Sequence, residues 1–198
     1  MSSAEFRGAA EDDADAISGM VYSMWFRRDY GETLGQAVSD AYARFMLAGS
    51  DFGIAAEVGG RVLGVCLVSV GDKKEPDMSM FEDLRRMDGH EKPLSDMALL
   101  HDADKKLMIE GGLKTDSEIL LLIVDGRCRG MGIGKKLVDL AFAELAERGC
   151  SSFHLFTDDE CGFGFYDRLG MRRAGECDVP FGPYVLKRMV YVGRVPTE

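Results

Sequence analysis

Long apolar runs, paired cysteines and positive charge are what this 198-residue sequence lacks. Nowhere do about 18 uncharged apolar residues follow one another, and Arg27-Arg28 interrupts the stretch around Trp25, so no membrane span is visible. The N-terminus, Met1 to Glu5, shows no basic segment leading into an apolar one, which argues against a secretory signal and makes a cytoplasmic location the expectation. The cysteines, at positions 66, 128, 150, 161 and 177, are odd in number and have no C-x-x-C or Cys/His ligand spacing. That pattern speaks against a disulfide framework and against a metal site. Cys66 reads as a small core residue, whereas Cys128 and Cys161 fall in turns where a thiol is expected to be accessible. Lysine and arginine number 24 against 34 acids, and the resulting charge of -10 repels nucleic acid and anionic membrane surfaces. Low-complexity linkers and internal repeats are missing as well, so residues 1–198 are read as one domain.

What is present is an ordinary globular mixture, 46% hydrophobic and 29% charged. Phe6 to Ala9 reads as a strand, and the acids Glu11, Asp12 and Asp13 open a helix whose apolar positions are Ile17, Met20, Val21 and Met24. After a turn at Asp29-Tyr30-Gly31, a second helix carries Leu34, Val38, Ala41, Phe45 and Met46 and stops before Gly49. The period then becomes that of strands: Phe52 to Val58 and Arg61 to Val70 flank Gly59-Gly60, the signal of a tight antiparallel hairpin. Residues 71–116 are charge-dense, with helical patches at Met78 to Met87 and Pro93 to Ile109, and read as an insertion packed on the main sheet. From Glu118 to Val124 an almost continuous apolar run predicts a strand buried on both faces. A glycine-rich turn, a helix through Leu137 to Leu145 and a strand at Phe153 to Thr157 follow, in about 40 residues the length of a parallel βαβ unit. A short helix near Gly162 to Leu169 and strands at Arg172 to Cys177 and Tyr184 to Val192 close the chain.

The chemistry concentrates in that turn, Asp125-Gly126-Arg127-Cys128-Arg129-Gly130-Met131-Gly132-Ile133-Gly134-Lys135-Lys136. Glycines at alternate positions leave bare backbone where the first helical N–H groups point outward unpaired, and those donors with the helix dipole favour a phosphate. Arg127, Arg129, Lys135 and Lys136 add a local basic cluster to an acidic chain. A P-loop requires G-x-x-x-x-G-K-[ST], and neither that spacing nor the hydroxyl is in place. A dinucleotide turn of the doubly wound type is closer, with Asp158 or Asp159 ending the next strand. The antiparallel hairpin upstream and the short remainder of chain after Asp159 disfavour it, and NAD(P) stays as a rival ligand.

The order of elements, together with Arg129-Gly130-Met131-Gly132-Ile133-Gly134 and Phe165-Tyr166-Asp167-Arg168-Leu169-Gly170-Met171, resembles the GNAT superfamily of acyl-CoA-dependent N-acyltransferases. The resemblance implies an α/β (α+β) fold, with a mixed, mostly antiparallel central sheet flanked by helices and a splayed central strand pair. It further implies acetyl-CoA as cosubstrate, without a metal. Backbone amides of Arg129, Gly130, Met131, Gly132, Ile133, Gly134 and Lys135 would hold its pyrophosphate, and Ile123, Val124 and Asp125 would pair through their backbones with the pantetheine arm. Tyr166 matches the tyrosine that protonates the departing thiolate, a role suited to a phenol of ordinary pKa about 10. Met171 stands where the pattern usually has Phe, and Thr157-Asp158-Asp159-Glu160 where it often has Asn.

An amine acceptor, small molecule or peptide, must lose a proton before it attacks. By resemblance Glu118 occupies the position of the catalytic glutamate of some relatives, and His154, alternating with Phe153 and Leu155, is a second candidate facing the cleft. The acceptor pocket would be built from Trp25 to Tyr30 and from a loop at Pro180 to Tyr184, with the 71–116 insertion as its cover or as a subunit contact in a homodimer. The rival from another class is a non-catalytic acyl-CoA-binding module.

Overall fold

The computed structural model describes residues 4–71, 78–128 and 130–196. Among these, seven strands form one sheet in the order β1-β2-β3-β4-β5-β7-β6. The strands are β1 (Glu5–Gly8), β2 (Phe52–Val58), β3 (Arg61–Val70), β4 (Ser117–Val124), β5 (Ser152–Asp158), β6 (Arg172–Phe181) and β7 (Tyr184–Arg194). The helices are α1 (Ala14–Val21), α2 (Arg27–Tyr30), α3 (Glu32–Gly49), α4 (Glu91–Glu110), α5 (Ile133–Glu147) and α6 (Gly164–Arg168). Every neighbouring pair is antiparallel except β4 with β5, where α5 supplies the crossover that parallel strands require. The expected mixed, mostly antiparallel sheet is what the chain forms.

The two sheet faces carry separate cores. On one, Ile119 of β4 and Phe153 and Leu155 of β5 pack with Ile133, Leu137, Val138 and Leu145 of α5. On the other, Leu121 and Ile123 meet Ile17 and Val21 of α1 and Ala43 of α3. β4 therefore contributes to both, which is why it reads as an unbroken apolar run rather than an alternating one. The pairing of β3 with β4 shifts between Leu67 and Val68, opposite Leu121 and Ile119, leaving Leu120 as the extra residue of a bulge. The bulge resets the side-chain alternation midway, so Ile119 and Leu122 both turn to the α5 face.

Between α1 and α2 the chain makes a π-helical turn, Tyr22–Phe26, and reverses at Gly31 with φ of 79°. α3 returns so close to this turn that a Cβ on Gly35 would lie 2.6 Å from the carbonyl oxygen of Phe26. Any larger residue at 35 would push the aromatic turn away from the sheet. The insertion resolves into 3₁₀ turns at Met78–Phe81 and Leu84–Arg86 and the helix α4, which packs on β6 and β7. Its anchor is Asp104, which accepts two hydrogen bonds from the guanidinium of Arg188 on β7, at 2.8 and 3.0 Å. Both side chains are largely buried, so this pair fixes where α4 lies over the sheet. The last two strands are longer than their apolar pattern indicates. β6 continues through Pro180 and Phe181, and only Gly182-Pro183 form the turn, so the expected loop at Pro180 to Tyr184 is mostly hairpin. Proline is tolerated there because β6 is the sheet edge.

Candidate active site

β4 and β5 touch as paired strands at one position, Glu118 opposite His154. Side chains close that end. The carboxylate of Asp116 accepts the backbone N–H groups of Ser151 and Ser152, both at 2.9 Å, and the hydroxyl of Ser117 donates to the carbonyl of Ser152 at 2.9 Å. Beyond Glu118 the strands diverge. The backbone N–H of Asp125 donates to the carbonyl of Leu63 at 2.8 Å, which makes Asp125 and Leu63 a hydrogen-bonded antiparallel pair. Alternation along an antiparallel ladder then turns the main-chain groups of Val124, and of Leu122 two residues back, away from β3 and into the gap. Val124 is therefore placed to pair with an extended ligand, and so is Leu122, which the sequence pattern did not single out. Ile123 and Asp125 are directed toward β3 instead, a correction to the expected trio that follows from the period of two in strand hydrogen bonding.

At the wide end of the gap lies the glycine turn. Gly130 and Gly132 adopt left-handed φ angles of 78° and 75°. Gly132 caps α5 without any side-chain hydrogen bond, and the first backbone bond of the helix runs from Lys136 N–H to Gly132 carbonyl at 3.0 Å. The amides of Ile133, Gly134 and Lys135 precede that bond, the arrangement that receives an anion at a helix start. Alternating right- and left-handed residues shape the concavity further. Met131 is exposed, and Ile133 is buried in the core behind α5. Arg129 lies outside the described residues. The neighbouring cations have partners within the chain: Arg127 grips Asp125 at 2.7 and 2.8 Å, and Lys135 meets Asp139 at 2.7 Å. Cys128, expected to be accessible, is buried, because its N–H closes a turn on the Asp125 carbonyl and its side chain joins the α5 core.

Tyr166 lies on α6, partly buried against the core beneath α5. Its ring packs 5.5 Å from Tyr191, and its hydroxyl is within electrostatic reach of Cys66 on β3 and of Asp158 and Arg188 on β5 and β7. Burial raises its pKa above the ordinary tyrosine value, with Cys161, Cys66 and Asp158 adding to the effect, so the hydroxyl keeps its proton at neutral pH.

On the opposite face from α5, the side chains of Glu118, His154 and Phe156 follow one another. His154 Nε2 lies 3.4 Å from Glu118 Oε2, and the His154 ring meets Phe156 edge-on at 5.3 Å. Arg188 then covers the Phe156 ring at 5.6 Å. The π-helical turn and α2 line the other wall, where Phe26 stacks with Tyr42 and Tyr30, Tyr30 donates to Asp96 of α4 at 3.0 Å, and Arg28 pairs with Asp29 and Glu160. Cys161 sits here too. Burial, with the Asp158 carboxylate beside it, pushes its thiol up to about 12, and burial alone does the same for Cys66. Neither thiol is a thiolate at neutral pH. Among the described residues no group of three or more His, Cys, Asp or Glu converges to hold a metal ion, and no helix is long and apolar enough to cross a membrane.

The acetyltransferase (GNAT) family model matches residues 20–171, from the end of α1 past α6. The chain belongs to this family. Solved structures agree in fold at low identity. Polyamine N acetyltransferase of Drosophila melanogaster is 13% identical with a TM-score of 0.65, covering 97% of this chain and 100% of that one. Arylalkylamine N-acetyltransferase 2 of Aedes aegypti is 19% identical with a TM-score of 0.62, covering 98% and 99%. Ard1 of Thermoplasma volcanium is 15% identical with a TM-score of 0.57, covering 98% and 99%. No curated protein sequence matches the chain. In this GNAT chain the matched segment includes the glycine turn, the β4–β5 gap and Tyr166, and Glu118 lies at the end of the gap where the two strands pair.

Proposed function

We propose that this single-domain GNAT protein transfers an acetyl group from acetyl-CoA to a primary amine of a small molecule or peptide, by direct attack within a ternary complex. The observation that carries this reading is the set of main-chain groups at Leu122 and Val124, facing a gap that opens at bare helical amides and closes where Glu118 pairs with His154. A pyrophosphate suits the amides of Gly130 to Lys135, and an extended arm suits the edge of β4, which would treat it as an added strand. When bound, acetyl-CoA supplies the thioester. The chain's own residues then divide the work. Glu118 takes the proton that the acceptor ammonium gives up before its nitrogen attacks, and the nitrogen's second proton passes to solvent as the N–C bond forms. An N–H turned into the gap polarises the carbonyl oxygen. Tyr166 gives its hydroxyl proton to the sulfur as the C–S bond breaks, and recovers one from solvent. The acidic net charge of the chain favours a cationic acceptor at long range.

The test is a panel of amines incubated with acetyl-CoA, the acetylated amine being detected by mass so that the protein's own thiols do not interfere. Stoichiometric acetyl-amine and free coenzyme A are expected. Tight acetyl-CoA binding with no product from any amine would instead mark a binding module, and thermal stabilisation by NAD rather than acetyl-CoA would mark an oxidoreductase.

A further inference from the structure

At the opposite end of β4 from the glycine turn, the surface holds a second concavity. A groove of about 380 Å³ lies between Lys114 and Thr115, which precede β4, Ser152 at the start of β5, Arg172 at the start of β6 and Arg194 at the end of β7. That is the size of a small-molecule site. Strand register builds it. Ser152 stands opposite Arg194, and Val192 opposite Arg172, so Arg172 and Arg194 are diagonal neighbours on one face of β6 and β7. The Asp116 clamp on Ser151 and Ser152 brings the segment carrying Lys114 up to the same place.

The charge of the groove runs against that of the chain. Three cations line it and no carboxylate does, although the net charge is -10. A larger groove beside α3, of about 570 Å³, is lined by Glu32 and Asp40 and by no cation. Like charges at neighbouring strand positions repel, and acids within the chain usually relieve such repulsion. Arg173, Lys187 and Arg188, on the same two strands, each hold a carboxylate at 3.4 Å or less. Among the described residues no acid pairs with Lys114, Arg172 or Arg194. The carboxylate of Asp116, next to Thr115 in the chain, is engaged by the serine amides. The groove hydroxyls have partners too, Thr115 with His154 Nδ1 at 2.6 Å and Ser152 with Asp116 at 3.2 Å, so recognition falls to the three cations.

We propose that this groove binds a small molecule through a compact oxyanion of two or more negative charges, a phosphate or polycarboxylate group. Each guanidinium presents a planar fork that takes two oxygens of such a group, and Lys114 adds a point charge. A monovalent anion offers too little charge for three cations and is held weakly at an exposed site. Nucleic acid, the other polyanion, is repelled at longer range by the acidic chain. The site is distinct from the anion-binding turn at Gly130 to Lys135, because β4 leads into that turn and away from the groove. The proposal does not depend on acetyl transfer.

Amide NMR titrations of the whole protein with pyrophosphate, glycerol phosphate and citrate test it, at near-neutral pH and an ionic strength held constant with sodium chloride. At least one of the three should produce saturable shifts at the amides of Thr115, Gly170 and Gly193, which line the groove. Saturation by the two phosphates alone makes the ligand a phosphate compound, and saturation by citrate alone a polycarboxylate. Arg172→Gln is expected to weaken that binding about 10-fold, and the double variant with Arg194→Gln about 100-fold. All three cations are exposed, so the spectrum away from the groove should be unchanged. Lys114→Gln, outside any strand, gives the same 10-fold reading should Arg172→Gln disturb β6. Groove shifts that never saturate, that sodium chloride alone reproduces, or that persist in the double variant would overturn the site. Shifts confined to Gly130 to Lys135 would overturn it as well, by placing the anion at the glycine turn alone.

Discussion

The two ends of the β4–β5 gap are built from different materials. The wide end is backbone: left-handed glycines, helical amides ahead of the first α5 hydrogen bond, and strand groups turned away from β3. The closed end is side chain: the Asp116 carboxylate on two serine amides, then Glu118, His154 and Thr115 in contact. Backbone donors recognise charge and extended shape and do not titrate, which suits holding a cosubstrate common to a whole family. Titratable side chains suit proton movement. Such a division lets binding and chemistry be damaged separately, and the predictions use that separation.

The largest effect is expected at the closed end. Glu118→Gln should lower kcat about 1,000-fold with an alkylamine while leaving the calorimetric affinity for acetyl-CoA intact, since the carboxylate is read as a base and not as a ligand to the cosubstrate. At the wide end the pattern inverts. Gly132→Val forces a β-branched residue to a φ of 75° and tilts the first amides of α5, so acetyl-CoA affinity should fall about 100-fold by calorimetry, with kcat at saturation little changed. Between the ends, Tyr166→Phe should cost about 10-fold in kcat, less than Glu118→Gln, because a thiolate is already a good leaving group. The smallest effect concerns the clamp. Burial works against the Asp116 carboxylate, but hydrogen bonds from Ser151 and Ser152 outweigh it and hold its pKa below the ordinary 3.8. A depressed carboxylate pKa contributes stability that is present above the ordinary value and lost as the pH falls through the lowered one. Asp116→Ala should therefore cost about 1 kcal/mol in urea denaturation at pH 7, and the difference from wild type should vanish in acid.

The same division explains what the sequence made legible. The wide end depends on glycines at fixed spacing after an apolar strand, a local signal, and Gly130 and Gly132 take the conformations that only glycine adopts without strain. The hairpin at Gly59-Gly60, the bounds of β2 and β3 and the helix α4 were legible for similar reasons, being short-range patterns of period two or 3.6. The closed end depends on residues far apart in the chain. Thr115 and His154 are 39 positions apart and carry no mutual spacing rule, so only the parallel register of β4 on β5 brings them together. Leu122 was hidden for a subtler reason. An apolar side chain advertises packing, while its role in the gap belongs to main-chain groups whose direction is set by the pairing with β3. Cys128 looked accessible because a turn usually is, and the packing of α5 over that turn buries it.

The central claim is that the exposed edge of β4 receives the cosubstrate as an added strand, and hydrogen exchange at the amides of Leu122 and Val124 tests it most directly. Saturating acetyl-CoA should slow exchange at both, along with the amides of Gly132 to Lys135, and NAD should slow neither. Protection confined to the glycine turn, with Leu122 and Val124 exchanging as fast as in the free protein, would contradict the account.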